Sequence, residues 1–167
     1  MTIRLRSGHL VAGFILGLVA CQRSASVIQA SDPRPLLEAF MRAWNRHDAA
    51  SLDTLVAANA VHEDLAFGFR GIGPEGFKGY LDESIRQVPD FDWRTTAVFV
   101  EGPVVAAEWT LAGTFTGDTP TGPVAGRRFS VRGASILVTE GGRIVRFSDY
   151  YNAAELFRQL AADSTAK

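Results

Sequence analysis

The stretch WRTTAVFVEGPVVAAEWTLAGTFT, residues 93–116, alternates apolar and polar side chains and is interrupted once, at Glu101-Gly102. Alternation with a period of two is typical of a strand with one buried face, and a short interruption that contains glycine is typical of a hairpin turn. The stretch therefore predicts two paired antiparallel strands, at residues 93–101 and 103–116.

The sequence on either side extends this prediction to a whole domain. Two more strands are expected at 127–139 and 143–152, joined by a turn at Glu140-Gly141-Gly142. Upstream, apolar residues recur at helical spacing, as in Leu37, Phe40, Met41 and Trp44. We predict helices from Pro33 to the segment 45–48 and over 50–57, 75–88 and 153–162, with a short strand or extended turn at 61–67. Helices followed by an antiparallel sheet make an α+β fold.

The N-terminal residues are first positively charged and then apolar. Arg4 and Arg6 precede an apolar run from Leu10 to Ala20. Such a run is too short to cross about 30 Å of hydrocarbon as a helix that rises about 1.5 Å per residue. Small residues then stand directly before Cys21, the single cysteine of the chain. This order resembles the signal peptide and lipobox of bacterial lipoproteins.

That resemblance implies export and lipid anchoring. It implies that residues 1–20 are removed, that acylated Cys21 anchors the protein in a membrane on the periplasmic side, and that residues 21–31 form a tether. Gln22 stands where an aspartate would resemble an inner-membrane retention signal, which favours the outer membrane. An ordinary secretory signal with a chance cysteine is the alternative.

Composition limits what the rest of the chain does. The 167 residues include 17 basic and 18 acidic side chains without a basic cluster, which argues against nucleic acid as a partner. A single cysteine excludes an intrachain disulfide, and the three histidines are not at metal-ligand spacing. We therefore expect no metal and no cofactor, and one domain at residues 32–163.

Four stretches share their order and spacing with one known family. They are FMRAWNRHDAASLDTL at 40–55, VPDF at 88–91, WTLAGTFTG at 109–117 with TPTG at 119–122, and the segment from Gly142 to Leu160. The chain thus resembles the SnoaL-like polyketide (ester) cyclase family of the nuclear transport factor 2-like superfamily. The resemblance implies a cone-shaped, curved antiparallel sheet packed on N-terminal helices, with a pocket between them.

Two departures from the family's pattern concern its chemistry. The resemblance places the family's catalytic aspartate seven residues before Gln159, where this chain has Asn152, and the family's histidine at Phe115. An amide does not accept a proton at neutral pH as a carboxylate does. The usual acid–base groups are therefore missing from the matching positions.

Alternation along the last strand separates two sets of side chains. The family match favours Ser148, Tyr150 and Asn152 as the pocket-lining face, with Tyr150 as a phenol donor and Asn152 as an amide that binds a carbonyl or hydroxyl. The alternative is that Tyr150 and Asn152 satisfy backbone groups at the end of the strand. Asp149 points to the opposite face and is the remaining candidate for a catalytic carboxylate, because burial would raise its pKa toward that of a general base. An exposed or arginine-paired Asp149 is the alternative.

His62 is the second candidate for acid–base chemistry, since a histidine can shuttle protons near neutral pH. A hydrogen-bonded structural histidine is the alternative. Four large aromatic residues are expected to form pocket walls, and ordinary core packing is the alternative for each. These residues are Trp44, Trp93, Trp109 and Phe115.

Three functions remain open at this point. Replacement of the family aspartate by Asn152 favours a protein that binds a small apolar carbonyl-type molecule. The family itself favours an ester cyclase, isomerase or hydrolase with Asp149 or His62 as acid or base. The alternating apolar face of the strands favours a protein-interaction module that forms a homodimer.

Overall fold

A computed structural model describes residues 32–119, 122–123 and 126–161 of the chain. The predicted signal peptide, the lipidated Cys21, the tether, Pro120-Thr121 of the TPTG segment and the predicted domain end at 162–163 lie outside the described residues. The helices are α1 (Arg34–Asn45), a short 3-10 helix (Ala49–Ser51), α2 (Leu52–Leu55), α3 (Gly73–Gln87) and α4 (Ala153–Ala161).

A curved sheet packs against these helices. Its strands are β1 (Val56–Asp64), β2 (Phe69–Ile72), β3 (Asp92–Glu101), β4 (Val104–Phe115), β7 (Arg127–Glu140) and β8 (Arg143–Tyr151), and a small separate pair is formed by β5 (Asp118–Thr119) and β6 (Gly122–Pro123). The order across the six-stranded sheet is β2-β1-β8-β7-β4-β3. The predicted α+β fold and both predicted hairpins, β3–β4 and β7–β8, are confirmed.

The sheet differs from the prediction in one pair of strands. β1 and β8 run parallel, with Val56 opposite Ile144 and Asp64 opposite Asp149, so the sheet is mixed rather than fully antiparallel. The chain enters β1 and β8 from the same end of the sheet, and the two strands therefore share a direction.

The predicted helix at residues 50–57 is also wrong in extent. Helix α2 ends at Leu55, and Val56 already begins β1. Alanines in residues 57–60 favour a helix by local propensity. Tertiary pairing overrides that propensity, because β1 pairs with β8 at Val56 and with both β2 and β8 over residues 61–64, on either side of these alanines.

The core forms where α1 crosses the inner face of the sheet. The predicted helical stripe of α1 is confirmed, since Leu37, Phe40, Met41 and Trp44 are all buried. Phe40 is fully buried, and its ring centroid lies 4.7 Å from that of Phe147 on β8 and 6.0 Å from that of Phe77 on α3. Helix α1 is thereby fixed over the centre of the sheet.

None of the helices in the described part of the chain combines the length and apolar character needed to cross a membrane.

Candidate functional site

A cavity of about 110 Å³ lies between the inner face of the sheet and helices α1, α3 and α4. Its wall is largely aromatic, and a neighbouring hollow of about 330 Å³ shares residues of α3 and α4 with it. An apolar pocket with a few placed polar groups is typical of a small-molecule site. The polar residues of the wall are Asp64, Tyr80, Ser84, Gln87, Asp149 and Tyr151.

Register across the sheet brings three of the polar side chains of this region into one row. Asp64 on β1 lies opposite Asp149 on β8, and Asp149 lies opposite Ser135 on β7. All three are buried on the inner face. Because opposed residues on adjacent strands point to the same side of a sheet, two carboxylates and a hydroxyl stand side by side beneath the helices.

Asp149 is a buried carboxylate with a polar side chain beside each of its two oxygens. The Ser135 hydroxyl donates a hydrogen bond to Asp149 Oδ1 at 2.5 Å, and His62 Nε2 lies 3.4 Å from Asp149 Oδ2. Burial raises the pKa of the Asp149 carboxyl, the His62 and Ser135 contacts oppose that rise, and the negative charge of Asp64 adds to it. Asp149 is therefore a more basic carboxylate than an exposed aspartate.

His62 lies behind Asp149 and does not line the cavity. It is fully buried, with its ring against those of Phe77 and Tyr80 at centroid distances of 4.8 Å each. Its Nδ1 has no hydrogen-bond partner among the described residues. A neutral ring with its proton on Nε2 donates to Asp149 and leaves only a lone pair unpaired, whereas an imidazolium would bury an unpartnered N–H. We therefore assign that tautomer to His62, whose predicted role in acid–base chemistry stays a prediction.

Asp64 is held by four donors. Both phenols, Tyr80 and Tyr151, donate to Asp64 Oδ2, the latter at 2.8 Å. The backbone N–H groups of Ala66 and Phe67 donate to Oδ1 at 2.9 and 3.1 Å. Burial, followed by the charge of Asp64, raises the pKa of both tyrosines. The two phenols consequently keep their protons and fix the carboxylate at the cavity wall.

Trp109 closes one side of the cavity because Gly133 leaves room for its ring. A Cβ at Gly133 would lie 2.3 Å from the Trp109 indole, so any larger residue would displace the ring. In its observed position Trp109 donates from Nε1 to Ser135 Oγ at 2.7 Å. This hydrogen bond orients the Ser135 hydroxyl toward Asp149.

The backbone of Trp93 is held in place by a side chain of α1. The Asn45 side chain at the end of α1 accepts a hydrogen bond from the Trp93 backbone N–H at 2.9 Å and donates to the Trp93 carbonyl at 2.8 Å. This double contact keeps the Trp93 ring beside Trp44, with ring centroids 5.6 Å apart. Helix and sheet are thus joined at the cavity wall.

The predicted pocket face of the last strand is wrong. Tyr150 is 43% exposed and points away from the cavity, and the Ser148 hydroxyl donates to Glu63 on the outer side. Asn152 follows the strand and accepts a hydrogen bond from the Glu155 backbone N–H, as a residue that caps a helix start does. Phe147 must face α1 to complete the core, so alternation turns Asp149 and Tyr151 inward instead.

The other predicted residues fall on or beside the wall. Trp44, Trp93, Trp109, Phe115 and Asp149 line the cavity, although their roles in binding or catalysis stay predictions. Sequence reasoning missed Tyr80, Tyr151 and Ser135. The helical spacing of Tyr80, three residues after Phe77, could have placed it on the buried face of α3. The alternation of β7 could likewise have placed Ser135 among the inward-facing residues of that strand.

Among the residues that the structure describes, no three His, Cys, Asp or Glu side chains are grouped so that they could hold a metal ion.

Comparison with known proteins gives a consistent picture. The family described as SnoaL-like polyketide cyclase matches residues 35–160. TsrD from Streptomyces laurentii is 29% identical with a TM-score of 0.68, over 78% of this chain and 95% of that chain. A hypothetical protein from Catenulispora acidiphila with a ketosteroid isomerase-like fold, solved in complex with trimethylamine, is 25% identical with a TM-score of 0.67, over 79% and 96%.

IdmH from Streptomyces antibioticus shows the same fold at 22% identity, with a TM-score of 0.69 over 78% of this chain and 99% of that chain. A search among curated proteins finds no match. The fold and the family are thus supported by independent comparisons.

Proposed function

Because this chain belongs to the SnoaL-like polyketide cyclase family, we propose that it is an acid–base enzyme that acts on a small hydrophobic carbonyl compound. Asp149 is the proposed proton acceptor. The observation that carries the proposal is that Asp149 is a buried carboxylate in the wall of an aromatic cavity, with one oxygen held by Ser135 and the other beside His62. Pocket, base and orienting groups are what general-base catalysis requires.

The proposed step is removal of a proton from a carbon next to the substrate carbonyl. The C–H bond breaks, an O–H bond forms on Asp149, and the electron pair moves to the carbonyl oxygen as an enolate. If the enolate is conjugated with a C=C bond, return of the proton from Asp149 to the far carbon of that system would isomerise the substrate. Attack of the carbanion on a second carbonyl of the same molecule would instead close a ring, and the alkoxide so formed would take the proton from Asp149. The raised pKa of Asp149 favours its acceptance of the proton.

An enolate oxygen needs hydrogen-bond donors. The indole N–H groups of Trp44 and Trp93 are buried and have no partner among the described residues, and both residues belong to the cavity wall. Trp109, by contrast, is already committed to Ser135. Trp44 and Trp93 are therefore the donors that we propose for the developing negative charge.

Hydrogen–deuterium exchange at carbon tests the proposed step without knowledge of the natural substrate. Aryl-substituted ketones such as phenylacetone are incubated with the protein in D₂O. Loss of the NMR signal from the protons next to the carbonyl is then followed with time. The proposal expects exchange above the rate without protein. Ketones that raise the melting temperature but do not exchange would instead support a binding protein.

Ser135→Ala is expected to move the acid limb of the exchange rate to higher pH. The rate requires ionised Asp149, so it falls as pH drops through the Asp149 pKa, which lies above the ordinary value of 3.8. The Ser135 hydrogen bond lowers that pKa, and its removal therefore raises it. The pH–rate profile measures the midpoint.

Ser84→Ala is the matched control, because Ser84 also lines the cavity but donates to the Tyr80 carbonyl rather than to Asp149. Its midpoint should equal that of the wild type. A midpoint that is unchanged or lower in Ser135→Ala would contradict the assigned contact.

We further propose that the protein is an exported lipoprotein with a signal peptide at residues 1–20 and an acyl anchor on Cys21, facing the periplasm. Each buried methylene of such a chain adds about 0.8 kcal/mol to membrane binding. Cys21→Ser is expected to abolish incorporation of labelled palmitate and to move the protein from the detergent phase to the aqueous phase. Labelling that persists in Cys21→Ser would refute the anchor.

Homodimer formation through the open sheet face stays a prediction.

A further inference from the structure

We infer that the ligand of this cavity carries a positively charged amine group, protonated or quaternary, which binds among the aromatic rings beside Asp64. The inference rests on the proposed function only in taking this cavity as the ligand site. It goes further by naming the charge of the ligand, which the position of Asp149 alone does not determine.

The aromatic rings form three sides of a box. Trp93 meets Trp44 at a centroid distance of 5.6 Å and an interplanar angle of 79°, and it meets Trp109 at 5.7 Å and 89°. Tyr80 adjoins Trp44 at 6.0 Å, and Tyr151 adjoins Trp109 at 5.8 Å. Rings that stand nearly perpendicular surround a volume from several directions. An organic cation within about 6 Å of such rings is attracted by their quadrupoles.

The charged side chains of the cavity wall are negative, as a site for a cation requires. Two carboxylates, Asp64 and Asp149, lie opposite one another on adjacent strands. No Lys, Arg or His side chain of the described residues lines the cavity, and Asp64 has no ion-pair partner among them. A ligand with a carboxylate or phosphate in this cavity would meet like charge, whereas an ammonium group would be attracted.

Hydrogen-bonding capacity in the wall points the same way. The Tyr80 and Tyr151 hydroxyl protons are committed to Asp64, so the phenol oxygens offer only lone pairs to a ligand. The Ser84 hydroxyl proton is likewise committed, to the Tyr80 carbonyl. Around Asp64 the phenol and carboxylate oxygens therefore act as acceptors toward a ligand, and an N–H or a polarised N-methyl group satisfies them.

The choice of probe isolates charge from shape. Choline and its neutral isostere, in which a quaternary carbon replaces the nitrogen, have nearly the same size. All three tryptophans of the chain line the cavity, so their fluorescence reports binding directly. We expect the wild-type protein to bind choline at least about fivefold more tightly than the isostere.

Two matched variants locate the cation. Asp64→Asn is expected to remove most of the preference for choline, whereas Asp149→Asn, the same change on the neighbouring strand, should retain most of it. If Asp64→Asn fails to fold, Trp93→Leu serves instead, since it removes the ring at the centre of the box. Loss of the preference in Asp64→Asn or Trp93→Leu, together with its retention in Asp149→Asn, supports the assignment, whereas loss in Asp149→Asn alone would overturn it.

Equal binding of the two probes by the wild type, tighter binding of the isostere, or binding of neither at millimolar concentration would overturn the inference. These outcomes are separable from the test of the proposed function. Isotope exchange without a preference for choline would overturn only the inference, and a preference for choline without exchange would overturn only the proposed catalysis.

Discussion

Replacing Asp149 with asparagine is expected to lower the rate of α-proton exchange by about a hundredfold to ten-thousandfold, the usual contribution of a positioned general base. Asparagine keeps the size of the side chain, and its carbonyl oxygen can still accept the hydrogen bond from Ser135. It cannot take a proton from carbon at neutral pH. NMR-detected exchange of an aryl ketone measures the loss.

Unfolding will not explain that loss. The pKa of Asp149 is raised in the folded protein, so its contribution to stability is fully present below the unfolded pKa and is lost as pH rises through the folded pKa. At neutral pH a neutral amide avoids the cost of the buried charge, and the melting temperature of Asp149→Asn should match or exceed that of the wild type.

Glu63→Gln is the control for removing a carboxylate. Glu63 lies next to Asp64 in β1 but faces the outer side, where its carboxylate lies near Ser148 and Arg70. Its exchange rate should be that of the wild type. Exchange at the wild-type rate in Asp149→Asn would show that another group is the base.

Phe40→Ala is expected to destabilise the domain by about 3–5 kcal/mol, the usual cost of truncating a fully buried phenylalanine. The Phe40 ring contacts rings from α3, β3 and β8, and its loss would leave a cavity where α1 meets the sheet. Urea unfolding followed by circular dichroism measures the change.

Phe99→Ala provides the comparison, because Phe99 is 60% exposed on the edge strand β3 and removal of its ring leaves no cavity. Its free energy of unfolding should change by no more than about 0.5 kcal/mol. A cost below about 1 kcal/mol for Phe40→Ala would mean that the site can collapse around the missing ring and that Phe40 is not central to the core.

Sequence reasoning predicted the elements with strong periodicity. The stripe of α1 and the alternation of β3, β4, β7 and β8 depend on local spacing, and the structure has them at nearly the predicted bounds. It found only the second part of β1, with a predicted strand or turn from residue 61, because the alanines before that residue favour a helix and the pairing with neighbouring strands is not visible in the local sequence.

The residues of the site were predicted only in part, again because long-range packing is not visible in the local sequence. Alternation correctly separated Asp149 from Tyr150 and Asn152, but periodicity does not say which face of a strand is buried. That choice is made by Phe147 packing against Phe40, a contact between residues far apart in the chain. The convergence of Tyr80 and Tyr151 on Asp64 depends on the same long-range packing and left no local pattern.

The parallel pairing of β1 with β8 has a consequence for how the protein acquires its fold. Asp64 and Asp149 meet only after the 84 intervening residues have been closed into a loop. Such long-range contacts form slowly, because the chain loses the entropy of loop closure before the contacts stabilise it. A nascent chain therefore cannot assemble the two aspartates until its last strand has been synthesised. If the chain crosses a membrane as it emerges, it does so before this sheet can close.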